Sequence, residues 1–151
     1  MAEDPIKMDD KEVRLMIDSA DFFFHNMKFY LTRVALYAKA RILRRTSKGV
    51  DYKGKAFASY TENYALFRQK KGRPTDKVDL FFRGRMLGSM SVKATNKFAV
   101  LFFSGRKQAL KASGLNYGNS KIPKRREFFA LSAEDLAGIN AMALEELDRV
   151  F

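Results

Sequence analysis

Met90-Ser-Val-Lys-Ala-Thr-Asn-Lys-Phe-Ala-Val-Leu-Phe-Phe103 decides the fold class. Met90, Val92 and Ala94 alternate with Ser91, Lys93 and Thr95, the pattern of a strand with one face covered, and residues 98–103 follow as a continuous apolar run. Only Asn96 and Lys97 separate the two, which predicts an antiparallel hairpin, although without Asn-Gly the turn type stays open. Helical patterns lie on both sides of it.

Upstream, residues 9–46 contain neither Gly nor Pro, and apolar or small side chains recur at Val13, Ile17, Ala20, Phe24, Met27, Leu31, Val34 and Ala38. Their alternating steps of four and three describe a heptad seam on one long helix, or on two helices with a small break near residues 22–24. Asp9 and Asp10 suit the positive helix start, while Arg41, Arg44, Arg45 and Lys48 suit its negative end and Gly49 can terminate it. Ile17, Phe24, Met27, Leu31 and Val34 are therefore candidate packing residues, inside the domain or in a seam between subunits.

Residues 49–77 read as a loop-rich basic segment interrupted by a short helix at 62–70, and residues 78–82 read as a strand. Beyond the hairpin a short basic helix at 106–113 is expected to stop at Gly114, followed by an exposed basic loop over 116–126 and a last strand at 128–131. Ser132 can cap a final helix with Glu134 and Asp135 in its first turn, and Leu136, Ile139, Ala143, Leu147 and Val150 share one face of it. The prediction is one α+β domain over residues 1–151, a long N-terminal helix and a C-terminal helix packed on a small central antiparallel sheet.

Charge is segregated along this scaffold. Residues 39–127 hold 23 of the 29 Lys and Arg with only five acids, whereas 1–38 sum to −2 and 128–151 to −4. A basic middle of this kind gives one region a strong positive potential, suited to a polyanion or to the acidic face of another subunit. Its densest runs are Arg41-Ile-Leu-Arg-Arg45, Arg68-Gln-Lys-Lys-Gly-Arg73 and Lys121-Ile-Pro-Lys-Arg-Arg126. Arg68, Lys70, Lys71, Arg73, Lys121, Lys124, Arg125 and Arg126 are the candidate partner- or DNA-contacting residues, expected on exposed loops, where reversing charges leaves folding nearly intact. Tyr52, Tyr60 and Tyr117 lie near enough in sequence to stack on exposed bases.

Catalytic chemistry finds little support. The absence of Cys removes disulfides, thiolate metal sites and cysteine nucleophiles, and a lone His25 makes a transition-metal site or a nucleophile–base pair hard to build. Asp76 and Asp79 around Lys77 only faintly suggest a metal-dependent nuclease, and Gly88-Ser-Met-Ser lacks a nucleophile elbow. The expectation is no enzyme, no cofactor and no metal. The N-terminus has no basic stretch followed by an apolar one, and no apolar run approaches the ~20 residues that span a bilayer, which predicts a protein used without export or membrane insertion.

Arg83-Gly-Arg-Met-Leu-Gly-Ser-Met90 and, after the hairpin, Arg125-Arg-Glu-Phe-Phe-Ala-Leu-Ser-Ala-Glu-Asp135 resemble segments of the tailed-phage virion morphogenesis proteins, the tail-completion and neck proteins. The resemblance spans most of the chain, more securely from residue 78 onward. It implies a structural virion subunit, assembled in the bacterial host cytoplasm into a homo-oligomeric ring such as a hexamer. That ring would join tail to head or close the head-proximal end of the tail, with other neck and tail proteins as partners and genomic DNA in the channel. Terminator, connector and tail-completion roles stay open. The alternative from the residues alone is a freestanding basic nucleic-acid-binding protein.

Overall fold

The computed structural model describes residues 10–150, with the side chains of residues 10, 12, 13 and 15–17 outside that description. Ile17 therefore cannot be placed against the seam expectation. The elements run α1 (Asp10–His25), α2 (Met27–Ser47), α3 (Glu62–Lys70), α4 (Arg85–Gly88), β1 (Met90–Ala94), β2 (Ala99–Phe103), α5 (Arg106–Tyr117) and α6 (Ala133–Val150). The architecture is α+β, helices flanking one small antiparallel sheet.

The N-terminal arm is broken, at Asn26 rather than near 22–24. The Asn26 amide Nδ2 donates to Phe22 O at 2.8 Å, and its backbone N–H is shared between Phe22 O and Phe23 O. A side chain competing for the helix's own carbonyls interrupts the ladder there. Beyond the break, the buried face of α2 runs through Ala35, Ala38, Ile42 and Thr46, while Met27, Leu31 and Val34 are half-buried. Gly49 ends the run at φ +78°, a left-handed turn in which a Cβ would sit 3.1 Å from Val78 O.

β1 and β2 pair from Met90↔Phe103 to Ala94↔Ala99. Thr95 closes the turn, its N–H donating to Phe98 O at 2.8 Å and its hydroxyl accepting the N–H of Lys97. The hairpin tip docks on α2, where Asn96 Oδ1 accepts the Lys28 N–H left free in the first helical turn. Met90 is buried in the core, whereas Lys93, Val100 and Phe102 on the other face are exposed. Ile42, Phe57, Val78, Met86, Met90, Ala112 and Phe128 form the core beside the sheet.

Two predicted strands do not form, because side chains take the backbone groups a ladder would use. At 78–82, Asp79 Oδ1 accepts the Phe81 N–H at 2.9 Å, Arg68 donates to Phe81 O, and Leu80 sits at φ +55°, so the segment turns. At 128–131, Asn116 Oδ1 accepts the Phe129 N–H and Arg45 takes Ala130 O. α5 also passes the expected stop and ends before Gly118, at φ +77°. Gly114 is instead a place of close approach, where a Cβ would lie 2.6 Å from Asn119 Nδ2.

Candidate functional site

The basic middle folds into two concave surfaces. The first is a cleft of about 460 Å³ between the segment around α3 and the loop after α5. Its floor is Leu80, Leu115, Ile122 and Pro123, its aromatic wall Tyr60, Tyr64 and Phe82, and its cations Arg68, Lys111, Lys121, Lys124 and Arg126. No acidic side chain lines it. Tyr60 stands between two guanidiniums, with Arg68 Cζ 4.6 Å and Arg126 Cζ 5.7 Å from its ring centroid, arrangements in which cation–π attraction is felt. Burial pushes the Tyr60 phenol up, and its hydroxyl is enclosed without a hydrogen-bond partner.

These two arginines correct the expectation that both basic runs are wholly exposed. Arg68 is only 1% exposed. It donates to Pro74 O at 3.1 Å and Phe81 O at 3.0 Å and approaches Asp79 Oδ1 at 3.5 Å, so it pins the 71–84 segment onto α3. Arg126, 7% exposed, donates to Ala58 O at 2.9 Å and Ser59 O at 3.0 Å. Burial lowers the pKa of its guanidinium, which has no carboxylate partner among the described residues. A sequence signal existed for Arg68, since Tyr64 lies one helical turn before it and Phe67 beside it, but a run of four cations reads as a solvated stretch.

The other named cations divide. Lys70, Lys71 and Lys121 are exposed, and Arg73 lies 5.8 Å from the Phe81 ring centroid. Lys124 Nζ donates to Ser59 O, while Arg125 pairs with Glu127 at 2.9 Å. Lys124 and Arg126 thus tie the loop to the body while Arg125 pairs within the loop, and reversing all three charges is no longer expected to spare folding.

The second surface is a groove of about 830 Å³ at the corner between the end of α2 and the start of α6, lined by Arg41, Arg44, Arg45, Lys48, Tyr52 and Lys53 among others. Beneath it lies a feature the sequence reading missed. Asp135, fully buried, accepts from Arg41 Nε at 2.8 Å and from Arg45 Nη1 at 2.6 Å. Its Oδ2 also takes the Ser132 N–H while Ser132 Oγ takes the Asp135 N–H, a reciprocal capping box. Burial alone raises the carboxyl's pKa, but the bonds from Arg41, Ser132 and Arg45 outweigh it and hold the group well below the usual carboxylate range. Arg41 is held above its ordinary value, by its hydrogen bond to Asp135 first and to Glu134 second. Arg44 and Lys48 remain exposed, without a carboxylate partner among the described residues.

A third surface is apolar. Phe22, Phe24 and Phe29 on the N-terminal arm are 71%, 63% and 75% exposed, so of the two placements expected for Phe24, inside the domain or in a seam between subunits, the first is not seen. Leu36 on α2 and Leu136, Leu144 and Leu147 on α6 are exposed too, so the predicted inner face of α6 is only partly covered. Asp135, not Leu136, is the buried anchor at its start.

His25 is exposed, its Nδ1 bonding Asp21 O at 2.8 Å. Ser89 and Ser91 donate to the carbonyls of Met86 and Ser89. Among the described residues no group of His, Asp or Glu could hold a metal, and no helix is long and apolar enough to cross a membrane. Compared with family models, with curated proteins and with solved structures, the chain has no significant match.

Proposed function

We propose that the chain is a structural virion protein of a tailed phage, a neck or tail-completion subunit acting in a homo-oligomeric ring. The observation that carries this reading is the outward-facing aromatic set Phe22, Phe24 and Phe29 on the N-terminal arm. Exposed apolar surface marks an interaction site, and Phe24, the exposed member of the heptad seam among the described side chains, is suited to a second copy. The exposed cations Lys70, Lys71 and Lys121 and the groove cations Arg44 and Lys48 support it, as surfaces for an acidic neighbouring ring or for DNA in a channel. The two stretches that carry the resemblance supply Met86, Met90 and Phe128 to the core and Asp135 to the α2–α6 clamp, structural roles rather than chemical ones.

The test is complementation of a phage lacking this gene. With Lys70, Lys71 and Lys121 all changed to Glu, filled heads and finished tails are expected to accumulate unjoined. Normal yields of infectious particles from that variant would remove docking by these cations.

A second reading has its own observation. The groove at the α2–α6 corner, where Arg44, Lys48 and Lys53 lie near Tyr52 without a carboxylate partner among the described residues, suits a phosphate backbone and an exposed base, as in a freestanding nucleic-acid binder. Its signature is DNA binding by a monomer whose log affinity falls by about 0.9 per phosphate contact for each unit of log salt. Weak, salt-insensitive binding counts against it.

A further inference from the structure

We propose that the cleft between α3 and the 118–127 loop is a docking site for an acidic peptide segment with an aliphatic anchor, presented by another protein. Three observations converge on it. Five cations line the cleft and no acid does; Arg68 has Asp79 at 3.5 Å, and the other four leave their positive charge for a ligand to neutralise. Arg126 is buried with only two backbone carbonyls as acceptors and no carboxylate among the described residues, and a buried charge without a counter-charge is costly. The volume, about 460 Å³, lies in the range of ligand-binding clefts and accommodates a short side-chain cluster.

The lining chemistry favours a peptide over a nucleic acid. Stacking bases needs free ring faces, but Tyr60 is engaged by Arg68 and Arg126, and Phe82 is stacked on Phe67 at 5.5 Å. What the floor offers is aliphatic, Leu80, Leu115, Ile122 and Pro123, which fits a Leu or Ile side chain between carboxylates. Lys111 and Lys121, exposed at the rim and without ion pairs among the described residues, are placed to receive those carboxylates. The cleft belongs to a single chain and shares only Lys121 with the cations named for the virion reading; a ring that assembles yet ignores the peptide fails this proposal alone.

The experiment is fluorescence anisotropy on the full chain with a fluorescein-labelled peptide, acetyl-Asp-Glu-Leu-Asp-Glu-Leu-amide. Its Asn/Gln counterpart and a labelled oligothymidylate of about ten nucleotides, long enough to engage a backbone-tracking groove, serve as competitors. Saturable binding of the acidic peptide is expected, weakened about ten-fold or more by Lys111→Glu with Lys121→Glu, the scale on which losing close charge pairs shows. Lys70→Glu with Lys71→Glu, outside the cleft, is expected to bind as the parent does. Melting curves check that both variants fold, which their exposed positions favour. Absence of peptide binding, equal loss in both variants, equal binding of the neutral peptide, or tighter binding of the oligothymidylate at Lys111 and Lys121 would each overturn the proposal.

Discussion

Asp135 shows how one side chain can decide where two helices meet. It lies fully buried between Arg41 and Arg45 while also capping α6, so replacing it with Asn leaves two guanidiniums facing a neutral amide. Breaking a buried pair of this kind costs about 3–5 kcal/mol, and denaturant unfolding of Asp135→Asn is expected to show a loss of that size. A loss below about 1 kcal/mol, the range of surface pairs, would mean the cluster is solvated. The pH dependence has a fixed sign. Because the folded carboxyl titrates below the unfolded value of about 4, its contribution is present above that pH and disappears as pH falls through the acid range. Parent stability should therefore drop on acidification below pH ~4 more steeply than that of Asp135→Asn. The sequence made the cap legible, since Ser132 and Asp135 stand at capping-box spacing. Burial was not legible, because nothing in the spacing from Arg41 to Asp135 tells that α2 and α6 cross there.

Elements with a period of their own were the readable ones. The alternation from Met90 to Ala94 placed the hairpin, and the absence of Gly and Pro placed the arm. Segments 78–82 and 128–131 misled because apolar content without alternation does not fix a strand, and there Asp79, Arg68, Asn116 and Arg45 supply the backbone's partners. Within the arm the two halves should respond differently to truncation. Ile42, buried in the core, is expected to lose about 2–5 kcal/mol on change to Ala. Phe24, 63% exposed, is expected to change the melting temperature of a dissociated chain little and to weaken self-association instead. Equal destabilisation by the two variants at a concentration too low for assembly would show that α1 packs inside the domain. Of the candidate site, the basic runs were visible and their division was not. Arg68 and Arg126 became scaffold, while Lys70, Lys71 and Lys121 stayed at the surface.

For the whole molecule, exposed apolar side chains argue for assembly. Standard interfaces bury about 800 Å² per partner. Phe22, Phe24, Phe29, Leu136, Leu144 and Leu147 supply apolar side chains for such contacts. The most direct test is the mass of the purified chain by size-exclusion chromatography with light scattering. One species at twice 17.3 kDa or a higher integral multiple is expected, free of nucleic acid, falling toward the monomer when Phe24 and Phe29 are both changed to Glu. A parent protein that stays at 17.3 kDa at every concentration up to about 0.1 mM would contradict it.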